Sequence, residues 1–355
     1  MAEKGRRVAG KEEKEKKEKK KKSHKGIWIT LLCFVLIIVV LLGVAGGFVL
    51  NKLSMVDYVE IDEGNLSINE GVETGYRNIV IYGVDSRSNS YNNTRSDCII
   101  IANINESTKE IKLTSVYRDT YLEIEGRSLD KVNHAYAYGG PELAIKTLNR
   151  NLDLDIKEFV TVNFYAVIDV VDAVGGITMD IDSSELQYIN QYINGIGQET
   201  GRRSSNITKT GRQTLDGVQA LAYSRIRYTA GGDYKRTERM RDVLMAVAEK
   251  AKTLNLTQLN RVANDILPEV KTNISSTEIL ALLPQLAQYK FSSSNIGWPY
   301  EVKGQTINGV WYGVPVDLEE NVTKLHQEVF GEEDYVASET VKSISNKIKT
   351  RTGVK

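Results

Sequence analysis

Apolar residues along this chain fall into runs of two kinds. Short runs rich in β-branched residues, NIVIYGV (78–84), CIIIANI (98–104), IKLTSVY (111–117), FVTVNF (159–164) and ITMDI (177–181), predict strands. Longer segments carry their apolar residues at helical spacing. PELAIKTLNRNL (141–152) opens on a proline, and YAVIDVVDAVGG (165–176) ends at a Gly-Gly stop. Residues 215–224 and 238–254 also read as helices, and STEILALLPQLAQY (276–289) and DLEENVTKLHQEVF (317–330) are amphipathic helices that start on Ser and Asp. Strands mixed with helices throughout predict an α/β fold, one layered domain over 77–335 with a central mixed β-sheet flanked by helices. No 20–50-residue repeat interrupts it. Residues 336–355 read as a weakly attached C-terminal helix or tail.

One apolar run fits neither kind. From Ile27 to Leu50 there are 24 residues without a charge. As a helix they reach about 36 Å, enough to cross a hydrocarbon core of roughly 30 Å. Trp28 stands where an interfacial aromatic is favoured. A cleaved signal peptide is the competing reading, but the run is longer than a signal core. The span therefore predicts a transmembrane helix over 27–50, preceding the domain. Residues 51–76, polar with glycine and acidic residues, read as a juxtamembrane linker.

Charge sets the orientation. The formal net charge is zero, yet residues 1–26 hold 12 Lys/Arg against 5 Asp/Glu, a net of +7, which leaves −7 on the remainder. The basic tail, too polar to bury a core, is expected to be disordered and cytoplasmic, drawn to anionic lipid headgroups. The domain is then extracellular, on a single-pass protein of the cell membrane. An acidic domain argues against a nucleic-acid partner. Gly5 to Lys11 mimics the start of a phosphate loop, but Glu12 replaces the needed Ser or Thr. Cys33 and Cys98 form no disulfide framework, and His24, His134 and His326 are scattered, with no zinc spacing.

Three stretches concentrate reactive residues. In GVDSRSNSYNNTRSDCIII, Asp85 and Asp97 stand at the facing ends of two strand runs. If those strands pair antiparallel, the carboxylates come together, and clustered carboxylates want a cation such as Mg2+. Two turn-forming aspartates are the plainer alternative. In SVYRDTYLEI, Arg118-Asp119 follows a strand end, where a guanidinium can fork onto phosphate or simply pair at the surface. In LAYSRIRYTAGGDYKRTERMR, Arg225 and Arg227 alternate and would share a face on a strand, and Asp233, Arg236 and Arg239 follow a Gly-Gly loop. From 225 to 241 there are six basic and two acidic residues in a net-negative domain, a pattern for a phosphate or pyrophosphate pocket. No GxSxG or GxGxxG motif occurs.

These stretches, together with KVNHAYAYGG, VIDVVDAVGGI and LDGVQALAYSRIRY, occur in the order of the LytR-CpsA-Psr family, which the chain resembles over about 77–252. The resemblance implies a membrane-anchored phosphotransferase. Its members move a glycopolymer (wall teichoic acid, capsular or related polysaccharide) from a polyprenyl-pyrophosphate carrier to peptidoglycan. Motif by motif it implies Asp85 and Asp97 as Mg2+ ligands, and Arg118, Arg225, Arg227 and Arg236 as pyrophosphate contacts, with Arg87 and Arg239 beside them. It implies Arg118, Asp119 and Asp233 as the catalytic set, with Asp119 or Asp233 taking the acceptor proton. The prenyl tail needs a dry groove, expected under YAVIDVVDAVGG, whose apolar residues otherwise read as core. Two positions depart from the family pattern. Met240 stands where many members have a glutamine, and a thioether donates no hydrogen bond. Tyr117 replaces a proline, a change expected to alter only the local turn. A non-catalytic receptor for prenyl phosphates or glycans, and a transcriptional regulator, are the rival readings; an outward acidic domain without a helix-turn-helix argues against the second.

Overall fold

Chemical alternation along the strands builds the sheet. The computed structural model describes residues 56–69, 75–84, 91 and 93–354. The basic tail, the expected span 27–50, Asp85 and Arg87 lie outside them. Among the described residues no helix is long and apolar enough to cross a membrane.

The strands are β1 Asp57–Tyr58, β2 Tyr76–Val84, β3 Ser96–Asn105, β4 Glu110–Val116, β5 Tyr121–Glu123, β6 Leu129–Lys131, β7 Glu158–Val162, β8 Ile177–Ile181, β9 Gly211–Leu215, β10 Val270–Thr272, β11 Lys290–Phe291, β12 Ile296–Trp298, β13 Val302–Ile307 and β14 Val310–Pro315. The helices are α1 His134–Leu152, α2 Phe164–Ala173, α3 Ser183–Thr200, α4 Gly217–Arg225, α5 Gly232–Lys252, α6 Leu256–Ile266, α7 Ser276–Leu282, α8 Leu318–Phe330 and α9 Glu339–Thr352. Among the described residues the main sheet has eight strands in the order β1-β10-β7-β2-β3-β4-β11, with β12 also on β4. It is mixed: β2 is antiparallel to β3 and parallel to β7. The expected α/β layering and the antiparallel pairing of the two runs around 78–104 are both present.

Period-two alternation gives the sheet two different faces. Val80, Tyr82, Ile99 and Ile101 are buried in a core with α1, α8 and α9. Ile79, Ile81, Cys98 and Ile100 face the other way, toward α2 and α5, and line a cavity. β8 does not join the main sheet. It pairs with β9 and packs with α2 to α5 in a second core.

Both ends of the expected domain need correction. Within the segment read as a linker, residues 56–69 are built into the fold: β1 pairs with β10, and Leu66 is fully buried. The C-terminal helix α9 is no loose tail, since Val341, Ile344 and Ile348 sit in the main core, followed by Val354. Ser338 caps α9 and also bonds Asp153 at the end of α1 through its N–H (2.7 Å) and hydroxyl (2.6 Å). Neither a strand of two residues nor a helix with so few aliphatic positions advertises itself in composition. The helix expected at Pro141 does begin there, but Gly139 and Gly140, the latter at φ 65°, join it to an extra turn from His134.

Candidate active site

A β-bulge places Asp97. Gly83 pairs with Cys98 and Val84 with Ser96, so Asp97 has no partner on β2. The extra residue re-aims its side chain, and Asp97 lines the cavity beside Cys98. Gly83 permits the close approach, because a Cβ there would stand 2.8 Å from Cys98 Cβ.

Arg118 and Asp119 occupy the turn after β4. Tyr117 does more than shape that turn: its ring meets Tyr234 edge-on at 4.5 Å, tying the first turn of α5 to the strand end. Arg225 and Arg227 are not on a strand. Arg225 ends α4, where a cation suits the negative end of the helix dipole. Arg227 follows in a loop that Gly231, at φ 89°, turns into α5. Because α5 starts at Gly232, earlier than its apolar period suggested, Asp233 and Arg236 both fall in its first turns.

These elements bring one cluster together. Arg118 Nη1 donates to Asp97 Oδ1 at 2.6 Å, and its Nε lies 3.4 Å from Asp233 and 3.5 Å from Asp119. Arg236 Nη2 bonds Asp233 at 3.0 Å. Arg227 stands 3.8 Å from Asp97 and 3.9 Å from Asp233. Lys131, which sequence reasoning missed, holds Asp119 at 2.8 Å. Arg225 sits apart, paired with Glu199 at 3.1 Å and stacked over Phe164 at 4.6 Å. Arg239 turns inward. It is 1% exposed, and Glu185, the Ile226 carbonyl and Thr229 hold its guanidinium at 2.8, 3.1 and 2.8 Å. Its place is to fix the loop that carries Arg227.

The cluster holds more cation than its carboxylates satisfy. Burial lowers the Arg236 pKa to about 10; Asp233 and Asp97 oppose the fall, while Arg118 and Arg227 add to it. Burial also works against the Arg118 charge, but Asp97, Asp233 and Asp119 outweigh it and raise its pKa. The Nε atoms of both Arg118 and Arg236 are buried and, among the described residues, have no hydrogen-bond partner. Guanidiniums that repel one another around unused donors suit an anion.

Beside them lies an apolar cavity of about 410 Å³, within the range of ligand pockets. Asp97 and Arg225 stand on its wall; Ile81, Val167, Val170 and Val247 are among its apolar lining. The groove expected under the 165–176 helix is thus an open cavity and not filled core. Met240 lines it too, so the thioether extends the apolar wall at a position where an amide would interrupt it.

A hard cation suits one part of this set. Among the described residues Asp97 Oδ2 has no hydrogen-bond partner, with Arg227 and Arg236 at 3.8 and 3.9 Å, and a carboxylate oxygen is the donor Mg2+ takes alongside substrate phosphates. Among the described residues no group of three or more His, Cys, Asp or Glu forms a ready-made metal cage.

An anion-binding head joined to an apolar cavity at the end of a mixed sheet describes a site for an amphiphile with a phosphate-type headgroup. The LytR_cpsA_psr family model matches residues 51–328, and the chain belongs to this family. It is 31% identical over 262 residues to the polyisoprenyl-teichoic acid–peptidoglycan teichoic acid transferase TagU of Oceanobacillus iheyensis, covering 72% of this chain and 75% of that one. It is 32% identical to the TagU of Bacillus cereus, covering 71% and 79%. Among solved structures, TagT bound to LIIa-WTA superposes with a TM-score of 0.58 at 25% identity, over 84% of this chain and 100% of that one.

Proposed function

We propose that this protein is a phosphotransferase that moves a glycopolymer from a polyprenyl-pyrophosphate carrier to peptidoglycan. The observation that carries the reading is the Arg118–Arg227–Arg236 cluster at an apolar cavity, in a chain that belongs to this family. The relatives' names, which state transfer of teichoic acid to peptidoglycan, support it.

In this reading the prenyl chain lies in the cavity and the pyrophosphate replaces carboxylates as the partner of Arg118, Arg227 and Arg236. A peptidoglycan hydroxyl attacks the phosphorus that bears the polymer. A new P–O bond forms, the bridging P–O–P bond breaks, and the prenyl monophosphate leaves. Such transfers run on positioning and charge stabilisation. Asp119 is the better placed proton acceptor. Asp97 lines the lipid cavity, whereas Asp119 is outside that lining, 3.5 Å from Arg118 Nε. Asp233, shared among three guanidiniums, orients them. Asp97, with Asp85, is the choice for holding Mg2+, which when bound neutralises phosphate charge.

Incubating the protein with lipid-linked polymer, peptidoglycan fragments and Mg2+ should yield a phosphodiester product by mass spectrometry, and Asp97→Ala should lose it. Lipid binding without product under every metal condition would favour a receptor. The 27–50 run and the +7 tail support a single-pass anchor with the domain outside. Protease added to protoplasts should then digest the domain, and a protected domain would refute that topology.

A further inference from the structure

Asn163 is a buried donor with nothing to donate to. Its residue is 1% exposed, and its Oδ1 caps α2 by accepting from the Ala166 N–H at 2.9 Å. That bond fixes the amide orientation and leaves Nδ2 pointing elsewhere, buried and, among the described residues, without a partner. Buried polar groups are nearly always paired, so such an orphan calls for an explanation. Asn163 also lines the apolar cavity, close to the wall that carries Arg225. Two further positive features meet there. One is the N-terminus of the ten-residue helix α2, the positive end of its dipole. The other is Arg225, whose guanidinium lies over Phe164, the first residue of that helix. Arg225 is paired with Glu199 at 3.1 Å, a carboxylate whose place a phosphate at the α2 N-terminus could take.

We infer that Asn163 Nδ2, the α2 N-terminus and Arg225 form a separate subsite for the lipid-side phosphate of a prenyl phosphate, at the neck between the cation cluster and the cavity. The inference rests on the reading of the cavity as the prenyl-lipid site. It adds a division of labour. Arg118, Arg227 and Arg236 take the phosphate that is transferred, while Asn163 and Arg225 keep hold of the phosphate that leaves. Charge grows on that leaving phosphate as the P–O–P bond breaks, and a donor waiting there stabilises it.

The cap and the donor can be separated. Asn163→Ser and Asn163→Asp both keep a side-chain oxygen that caps α2, but neither places an N–H where Nδ2 is. The probes are farnesyl phosphate and farnesol, titrated calorimetrically against the full chain in detergent. Farnesyl phosphate should bind Asn163→Ser about tenfold more weakly than wild type, and Asn163→Asp more weakly still, because a carboxylate also repels the phosphate. Farnesol affinity should be unchanged in both. Equal farnesyl phosphate affinity across all three proteins would overturn the subsite. Parallel losses of farnesol and farnesyl phosphate would also overturn it, because Asn163 would then only shape the cavity. Failure of wild type to bind either probe would remove the lipid reading beneath it.

Discussion

Arg236 offers a test in which stability and function move in opposite directions. Arg236 is 1% exposed, and its pKa is lowered to about 10, first through burial, with Arg118 and Arg227 adding to the fall. That fall means the charged form is held roughly 3 kcal/mol less favourably in the folded protein than in the unfolded chain. Arg236→Met keeps much of the side-chain volume and removes the charge. Asp233 is not stranded by the change, since Arg118 and Arg227 remain 3.4 and 3.9 Å away. The variant should therefore be more stable than wild type without ligand, by about 1–3 kcal/mol once the lost Asp233 bond is deducted. At about 2–4 °C per kcal/mol, the melting temperature should rise by several degrees. Wild type should gain about 2.7 kcal/mol from a prenyl pyrophosphate at a hundred times its Kd, and the variant should gain far less. The pH sign is fixed. A folded pKa below the unfolded one means the unfolded chain binds more protons above about pH 10, so wild-type stability rises with pH there and the cost is complete below it. The difference between the two proteins should thus be constant from pH 6 to 9. Differential scanning fluorimetry with and without ligand measures all of this. A variant that melts lower when ligand-free and still responds fully to ligand would refute the idea of an anion-starved cluster.

Other changes separate the site's parts. Arg239→Ala should cost about 3–5 kcal/mol in denaturant unfolding, because it strands the buried Glu185 carboxylate; a neutral result would mean the pair is not coupled to the fold. Val247→Trp should fill part of the cavity and weaken binding of prenyl pyrophosphate while leaving inorganic pyrophosphate binding intact, and equal effects on both would argue against the cavity as the lipid site. Deleting residues 336–355 removes Val341, Ile344, Ile348 and Val354 from the core at about 1.5–3 kcal/mol each. The truncated chain should then show no cooperative unfolding transition, and a normal melt would show α9 to be dispensable.

Legible in the sequence were the layered α/β class, the positions of β2, β3, β4 and β7, and part of the cluster, namely Asp97, Arg118, Asp119, Arg227, Asp233 and Arg236, because period-two and helical alternation are local and the reactive residues come in compact stretches. It also flagged the cavity-facing helix and the odd Met240. What it did not determine was direction. Arg239 shares a charge run with Arg236, yet helical phase sends one into a buried pair with Glu185 and the other toward Asp233. Asp97 reaches the cavity only through a bulge, which depends on the register between two strands and not on either alone. Lys131 meets Asp119 from another strand, and Asn163 becomes conspicuous only once its neighbours leave one donor without a partner. Residues 56–69 and 339–352 belong to the core for the same reason: short segments are stabilised by surfaces from distant parts of the chain, and such long-range contacts leave no periodic trace in the segment itself.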